Sequence, residues 1–242
     1  MLTNWIKRSD NKILLLVLLL VSLKFISFFA YGEKLLRLFE PWLILSILFL
    51  FMYKYPKTSL VLKGFILLAV VGDLSGLFDV KIKGIEIATM AYCLGYLCLI
   101  YESILRIKKV KINLLIGAYL VFVFCVNAYF IYVLYDIFKL ASLNNLELTF
   151  IVIRMVSLFL FALFSFTLYL SSETRYSILL LLMSISLIFS DVIYLINEYY
   201  LYFWIFDFTS KFLYLITFYC LYLYVSGYYN SKEKVELKEA FT

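Results

Sequence analysis

The sequence predicts an all-α, polytopic membrane protein: a helical bundle of eight transmembrane helices with both termini in the cytoplasm. Three observations carry that expectation. The chain is 65% hydrophobic over 242 residues, whereas a soluble domain of this length is closer to half apolar. The excess falls into repeated continuous blocks of about 20 residues, the length that crosses ~30 Å of hydrocarbon. The loops between blocks are short, and their basic residues favour one side of the membrane.

Taken in order, the spans are expected at 12–31, 35–53, 58–79, 84–103, 113–135, 147–170, 175–197 and 202–227. The first is long and lacks a small-residue cleavage site before the next block, so it reads as a span and not as a cleavable signal. The remaining blocks are too continuous for the alternating ten-residue strands of a β-barrel. Residues 1–230 form one transmembrane domain on this reading. The stretch SKEKVELKEA opens a charged, solvated tail at 231–242.

Orientation follows from the loops. Lys7, Arg8 and Lys12, then Lys54 and Lys57, then Arg106, Lys108, Lys109 and Lys111, then Arg175 and the tail lysines fall at the termini and in the even loops. The odd loops hold only Lys34, Arg37, Lys81, Lys83 and Lys139. The positive-inside rule places the richer side in the cytoplasm. The net charge of +6 reflects those loops; there is no long basic run, and no nucleic-acid partner is expected.

Composition also excludes chemistries. The chain has no histidine, which removes His-ligated metal sites, His general bases, His-held haem and lipid amidases with a histidine-bound zinc. Cys93, Cys98, Cys125 and Cys220 lie in apolar blocks without a CxxC motif, so neither a disulfide framework nor a zinc site is indicated. No metal and no cofactor are expected. The Ile-, Phe-, Tyr- and Lys-rich composition suggests an AT-rich bacterial genome and so a bacterial cytoplasmic membrane.

The informative residues are the charges inside spans. Lys24, Lys63, Arg154 and Lys211 are the bases; Glu40, Asp73, Asp191 and Asp207 are the acids. With ~1.5 Å of rise per residue, Asp73 and Asp191 lie ~22 Å above the cytoplasmic starts of the third and seventh spans. Glu40, Arg154 and Asp207 lie ~8–10 Å below the outer starts of the second, sixth and eighth. Lys211 is one turn deeper than Asp207. Independent snorkelling charges have no reason to agree in depth, whereas clustering lets opposite charges compensate. The expectation is a polar cavity in the outer half of the bilayer.

The faces fit. Ala69, Gly72 and Gly76 surround Asp73 at helical spacing, and small residues allow close helix contact. Ser184, Asp191 and Tyr194 share one face of the seventh span, with Ser186 and Ser190 beside it. Asp207 and Lys211, four apart, can form a local ion pair or line the cavity. Most of the abundant Tyr and Phe reads as core and interface belt. Lys24 and Lys63 read as snorkelling residues or as cover for a groove.

At these motifs the chain resembles the lysoplasmalogenase-like (YhhN) membrane family. The residues that carry the likeness are Gly72-Asp73 in LAVVGDLSGLF and Phe189-Ser190-Asp191 in LIFSDVIYLI. FEPWLILSILF at the second span, YCLGYLCLIY in the fourth and FLYLITFYCLYLYV in the eighth extend it over most of the chain. The family usually has Lys where this chain has Glu40, often a histidine in the fourth span, and usually Leu where Gly76 stands. The resemblance implies cleavage of the vinyl-ether bond of lysoplasmalogens, to a fatty aldehyde and a glycerophospho head group. It implies Asp73 and Asp191 as the catalytic acid pair, since two acids in one apolar site can divide into acid and base roles, as in glycosidases. Arg154 and Lys211 would bind the lipid phosphate, with Asp207, Glu40, Tyr194 and Ser190 also lining the substrate site. The implied partner is a membrane lysophospholipid within the bilayer.

Two other readings use the same residues. A non-enzymatic transporter or lipid-binding protein also needs a buried charge layer; no convincing inverted repeat accompanies it here. The DFTSK stretch, with Asp207 four residues before Lys211, resembles the Schiff-base helix of microbial rhodopsins. Eight spans and the lack of a matching Arg-containing third helix argue against that.

Overall fold

The computed structural model describes Leu45 and residues 58–75, 83–107, 114–140, 145–172 and 174–240. All described elements are helical: α1 (Leu60–Ser75), α2 (Lys83–Ile107), α3 (Leu114–Leu140), α4 (Asn145–Ser172), α5 (Arg175–Tyr199) and α6 (Trp204–Ala240). Five of them, α2 to α6, are long and apolar enough to cross a membrane, so the chain is an integral membrane protein. These helices correspond to the third through eighth expected spans. They run a few residues longer than expected at several ends, and α6 continues as helix through the charged tail to Ala240. The expected spans 12–31 and 35–53, with Glu40 and Lys24, lie outside the described residues apart from Leu45.

The sequence sets the helix ends by side-chain capping. Ser59 precedes α1 and its hydroxyl accepts from the Leu62 amide at 3.3 Å. Thr174 does the same for Ser177 at the start of α5, also at 3.3 Å. Each satisfies one amide that the first turn leaves without a helical partner. Between α5 and α6, the Asn197 side chain accepts from the Phe203 amide at 2.8 Å, which fixes the turn. Hydroxyls within spans return to their own helix: Ser103 donates to the Leu99 carbonyl at 2.9 Å and Thr167 to the Leu163 carbonyl at 2.7 Å. In hydrocarbon no water is available for them, so this back-bonding is the local solution.

Packing joins chain neighbours with one exception: α2 packs on α4 in place of α3. The helices α1 and α2, α4 and α5, and α5 and α6 are antiparallel neighbours, and α2 also packs on α4. One core unites α1, α2, α4, α5 and α6, with Phe65, Ile66, Leu99, Phe161, Leu180, Met183, Phe218 and Leu221 nearly inaccessible. Phe65 stacks on Phe218 at 5.9 Å between ring centroids. A smaller core joins α3, α4 and α5 through Leu134, Phe138, Ile151, Met155 and Leu195. Helix α3 sits at the rim: almost none of its span is buried, whereas half of each other span is.

Two glycines let α1 and α2 approach closely. A methyl at Gly72 would meet the Tyr92 Cζ at 2.8 Å, and one at Gly95 would meet the Phe65 ring at 3.3 Å. Ala69 and Gly72 are both buried against the bundle; Gly76 lies outside the described residues. The antiparallel order brings the end of α1, the start of α2, the start of α4 and the end of α5 together at one end of the bundle. The start of α1, the end of α2, the start of α5 and the part of α6 around Tyr224 and Gly227 meet at the other.

Candidate functional site

The first of these ends holds a polar cluster built from four helices. On α5, Asp191 is 4% exposed, and on α4, Arg154 is 6% exposed. The Arg154 Nε donates to Asp191 Oδ2 at 2.8 Å, and Nη2 donates to Oδ1 at 2.7 Å. The Tyr96 hydroxyl of α2 adds a third bond to Oδ2 at 2.8 Å. Three donors converging on one carboxylate, two from a rigid charged fork, suit an anion. A charge pair this deep is tolerated because it is paired and hydrogen-bonded together.

The cluster continues outward through Tyr92. The Arg154 guanidinium lies over the Tyr92 ring, 4.3 Å from its centroid. At the other end of that ring the Tyr92 hydroxyl donates to Asp73 Oδ1 on α1. Asp73 and Asp191 are thus connected through Tyr92 and Arg154. Tyr92 and Tyr96, four apart on α2, serve one acid each. Gly72 explains how: the Tyr92 ring occupies the space that any side chain at 72 would need.

Accessibility falls off along this chain of contacts. Asp191, Arg154 and Tyr96 are buried, whereas Asp73 and Tyr92 are half-buried. Asp73 is the more exposed residue of the two acids, although its Oδ2 is itself buried; Asp191 is held by Arg154 and Tyr96. The Tyr214 ring of α6 closes the wall, edge to face with Tyr92 at 6.4 Å.

The other expected residues are placed differently. Asp207 and Lys211 form an ion pair at 2.8 Å along α6, each about a fifth exposed. The Ser190 hydroxyl donates to the Ser210 carbonyl at 2.7 Å, buried, so it ties α5 to α6. Tyr194 is 39% exposed, with the Arg154 guanidinium 5.9 Å from its ring centroid. Arg154 already gives two donors to Asp191, which leaves less of its fork for a phosphate than the resemblance implies. Among the described residues no group of three or more His, Cys, Asp or Glu could hold a metal ion.

Sequence reasoning did not single out Tyr92, Tyr96 or Tyr214. In a chain with 22 tyrosines, a tyrosine in a span reads as belt or core. The usable signal was their pattern: Tyr92 and Tyr96 lie one turn apart on a helix with Gly95 against its neighbour.

A second cluster at the opposite end also went unread. Glu102 of α2 is 6% exposed. It accepts from Arg106 Nη2 at 2.9 Å, from the Tyr224 hydroxyl at 3.1 Å and from the Ser59 hydroxyl at 3.2 Å. Arg106 also lies over the Tyr224 ring at 4.8 Å. Tyr176 donates to the Gly227 carbonyl at 2.9 Å nearby. This arrangement clamps α1, α2, α5 and α6. The nearly inaccessible apolar layer of Phe65, Leu99, Leu180 and Phe218 separates it from the Asp73–Asp191 cluster.

Compared with known protein families, characterised proteins and solved structures, the chain matches none of them.

Proposed function

We propose that this chain is a membrane-embedded hydrolase that cleaves the vinyl-ether bond of lysoplasmalogens, releasing a fatty aldehyde and a glycerophospho head group. The observation that carries the reading is the Asp73 carboxyl, hydrogen-bonded by Tyr92 and backed by the Arg154–Asp191 pair. A vinyl ether is opened by protonating its outer alkene carbon, which leaves an oxocarbenium cation. Asp73 supplies that proton, and its resulting carboxylate faces the cation. Asp73 then takes a proton from the attacking water. The hemiacetal so formed breaks its C–O bond as Asp73 gives that proton to the leaving glycerol oxygen and takes the proton of the hemiacetal hydroxyl, which frees the aldehyde and restores the protonated acid. Asp191 fixes Arg154, and Arg154 fixes the Tyr92 ring on which Asp73 depends. Lys211 meets the head-group phosphate, drawn from its pairing with Asp207. The apolar helices accommodate the alkenyl chain.

On this reading the fold has eight spans with both termini on the cytoplasmic side of a bacterial cytoplasmic membrane. The short loops, the bias of their basic residues and the alternating antiparallel order of α1 to α6 support it.

Two observations favour the second reading, a non-enzymatic transporter or lipid-binding protein. Asp191 is fully engaged by Arg154 and Tyr96, and a second ion-paired cluster lies at the far end of the same bundle. Proton-coupled uptake into vesicles is its signature.

The deciding measurement is aldehyde release from a lysoplasmenyl-ethanolamine substrate by the purified protein in detergent, beside Asp73→Asn and Asp191→Asn. Release that disappears in Asp73→Asn supports the hydrolase. Folded protein that releases no aldehyde across head groups moves the assignment to transport or lipid binding, as does Asp73→Asn with full activity.

A further inference from the structure

Three tyrosines surround the Asp73–Asp191 cluster, and two of them have a clear task. Tyr92 donates to Asp73 and Tyr96 donates to Asp191. The third, Tyr214 of α6, touches Tyr92 edge to face and meets Phe218 the same way at 5.1 Å. Its hydroxyl oxygen is buried and meets no hydrogen-bond partner of good geometry among the described residues.

A ring wedged between Tyr92 and Phe218 would pack equally well as phenylalanine. The hydroxyl is then the unexplained part, because a buried hydroxyl without a partner is unfavourable. Such groups in native interiors are commonly satisfied by one ordered water, provided other polar atoms share it. Here the Tyr92 ring that it meets edge to face carries the hydroxyl bonded to Asp73. This geometry bears on the proposed hydrolysis, whose cycle needs a water beside Asp73 once the proton has been given to carbon.

We infer that the Tyr214 hydroxyl holds the hydrolytic water against the Asp73–Tyr92 pair, which makes Tyr214 a positioning residue for the second half of the reaction. The inference rests on the hydrolase reading for its chemistry, and on the geometry alone for the water. The water's oxygen bonds to the former vinyl-ether carbon. One of its protons passes to the Asp73 carboxylate and the other stays on the hemiacetal hydroxyl, so no further reactant is required. Tyr214 donates no proton in the cycle; it fixes where the water's lone pair points.

The test is Tyr214→Phe in the full-length purified protein, with two readouts. The first is aldehyde release in the presence of methanol as a competing nucleophile. The expected result is a fall in kcat of about 10-fold or more, the scale of a lost positioning group, with KM little changed. The ratio of methyl acetal to free aldehyde rises, because methanol no longer competes with a prepositioned water. A merely structural role leaves that ratio alone, and an unchanged ratio with unchanged kcat overturns the inference. The second readout is a high-resolution structure of both proteins, which does not depend on activity. Water within about 3.2 Å of the Tyr214 oxygen, shared with Asp73 or Tyr92 and lost in the variant, supports the site. An empty or purely apolar surround of that oxygen overturns it. A wild type that releases no aldehyde but holds this water defeats the hydrolase reading and leaves the water site standing.

Discussion

Arg154 grips Asp191 with two parallel hydrogen bonds, 2.8 and 2.7 Å long, between helices that contribute no other charge at that depth. Removing one partner leaves the other buried and uncompensated, at about 3–5 kcal/mol. Arg154→Met is therefore expected to lower unfolding stability in detergent by that amount. The matched double variant Arg154→Met with Asp191→Leu recovers most of the loss, because an apolar pair of similar volume is close to neutral. Chemical unfolding of the four proteins as a double-mutant cycle gives the coupling directly; additive losses would show that the pair is not coupled.

Tyr92 stands between the two acids. In Tyr92→Phe the ring stays under Arg154 but the hydrogen bond to Asp73 is lost. Aldehyde release is expected to fall about 10²-fold, at the lower end of acid–base contributions, with about 1–3 kcal/mol of stability lost because Asp73 keeps an acceptor without its donor. Equal activity in wild type and variant would remove Tyr92 from the proposed mechanism.

Gly72→Ala places a carbon 2.8 Å from the Tyr92 Cζ. Tyr92 cannot retreat freely, because Asp73 holds one end of it and Arg154 covers its face. The expected cost is about 1–3 kcal/mol of overpacking, together with the activity loss of a displaced Tyr92. Combining Gly72→Ala with Tyr92→Leu, which lacks the clashing atom, is expected to restore stability but not activity.

Glu102→Gln separates the two polar clusters by experiment. It weakens three bonds at the far end of the bundle and is expected to cost about 1–3 kcal/mol. Aldehyde release measured well below the new midpoint should match wild type. Lost activity at full folding would show that the clamp reports to the other end.

Ser190→Ala removes the donor to the Ser210 carbonyl. A cost of about 1 kcal/mol with KM unchanged is expected, since the hydroxyl ties two helices. A raised KM would return Ser190 to the substrate site.

The depth argument, resting on rise per residue and on span directions read from the loops, placed Glu40, Asp73, Arg154, Asp191, Asp207 and Lys211 in one layer; the structure brings Asp73, Arg154 and Asp191 together, and Glu40 lies outside the described residues. Those three were legible because a charge in hydrocarbon needs a partner and so leaves a trace in the sequence. Tyrosine leaves no such trace: its ring belongs in an apolar span whether or not its hydroxyl has work. Glu102 was missed for a related reason. It lies beside the expected inner end of its span at 103, where a solvated carboxylate reads the same as a buried one. Its i+4 spacing to Arg106 was the visible hint. Asp207 and Lys211 show the opposite case, in which a spacing rule found the pair but could not say whether it joins the site.

Helix α6 does not stop with its span at Gly227 but runs on to Ala240. At ~1.5 Å per residue, that extension carries the backbone ~20 Å past the last apolar turn. An unbroken helix transmits direction as well as distance. A fluorophore or fiducial domain fused in register there would tilt and turn with the transmembrane segment, giving a lever arm for reading motions of the bundle from outside the bilayer.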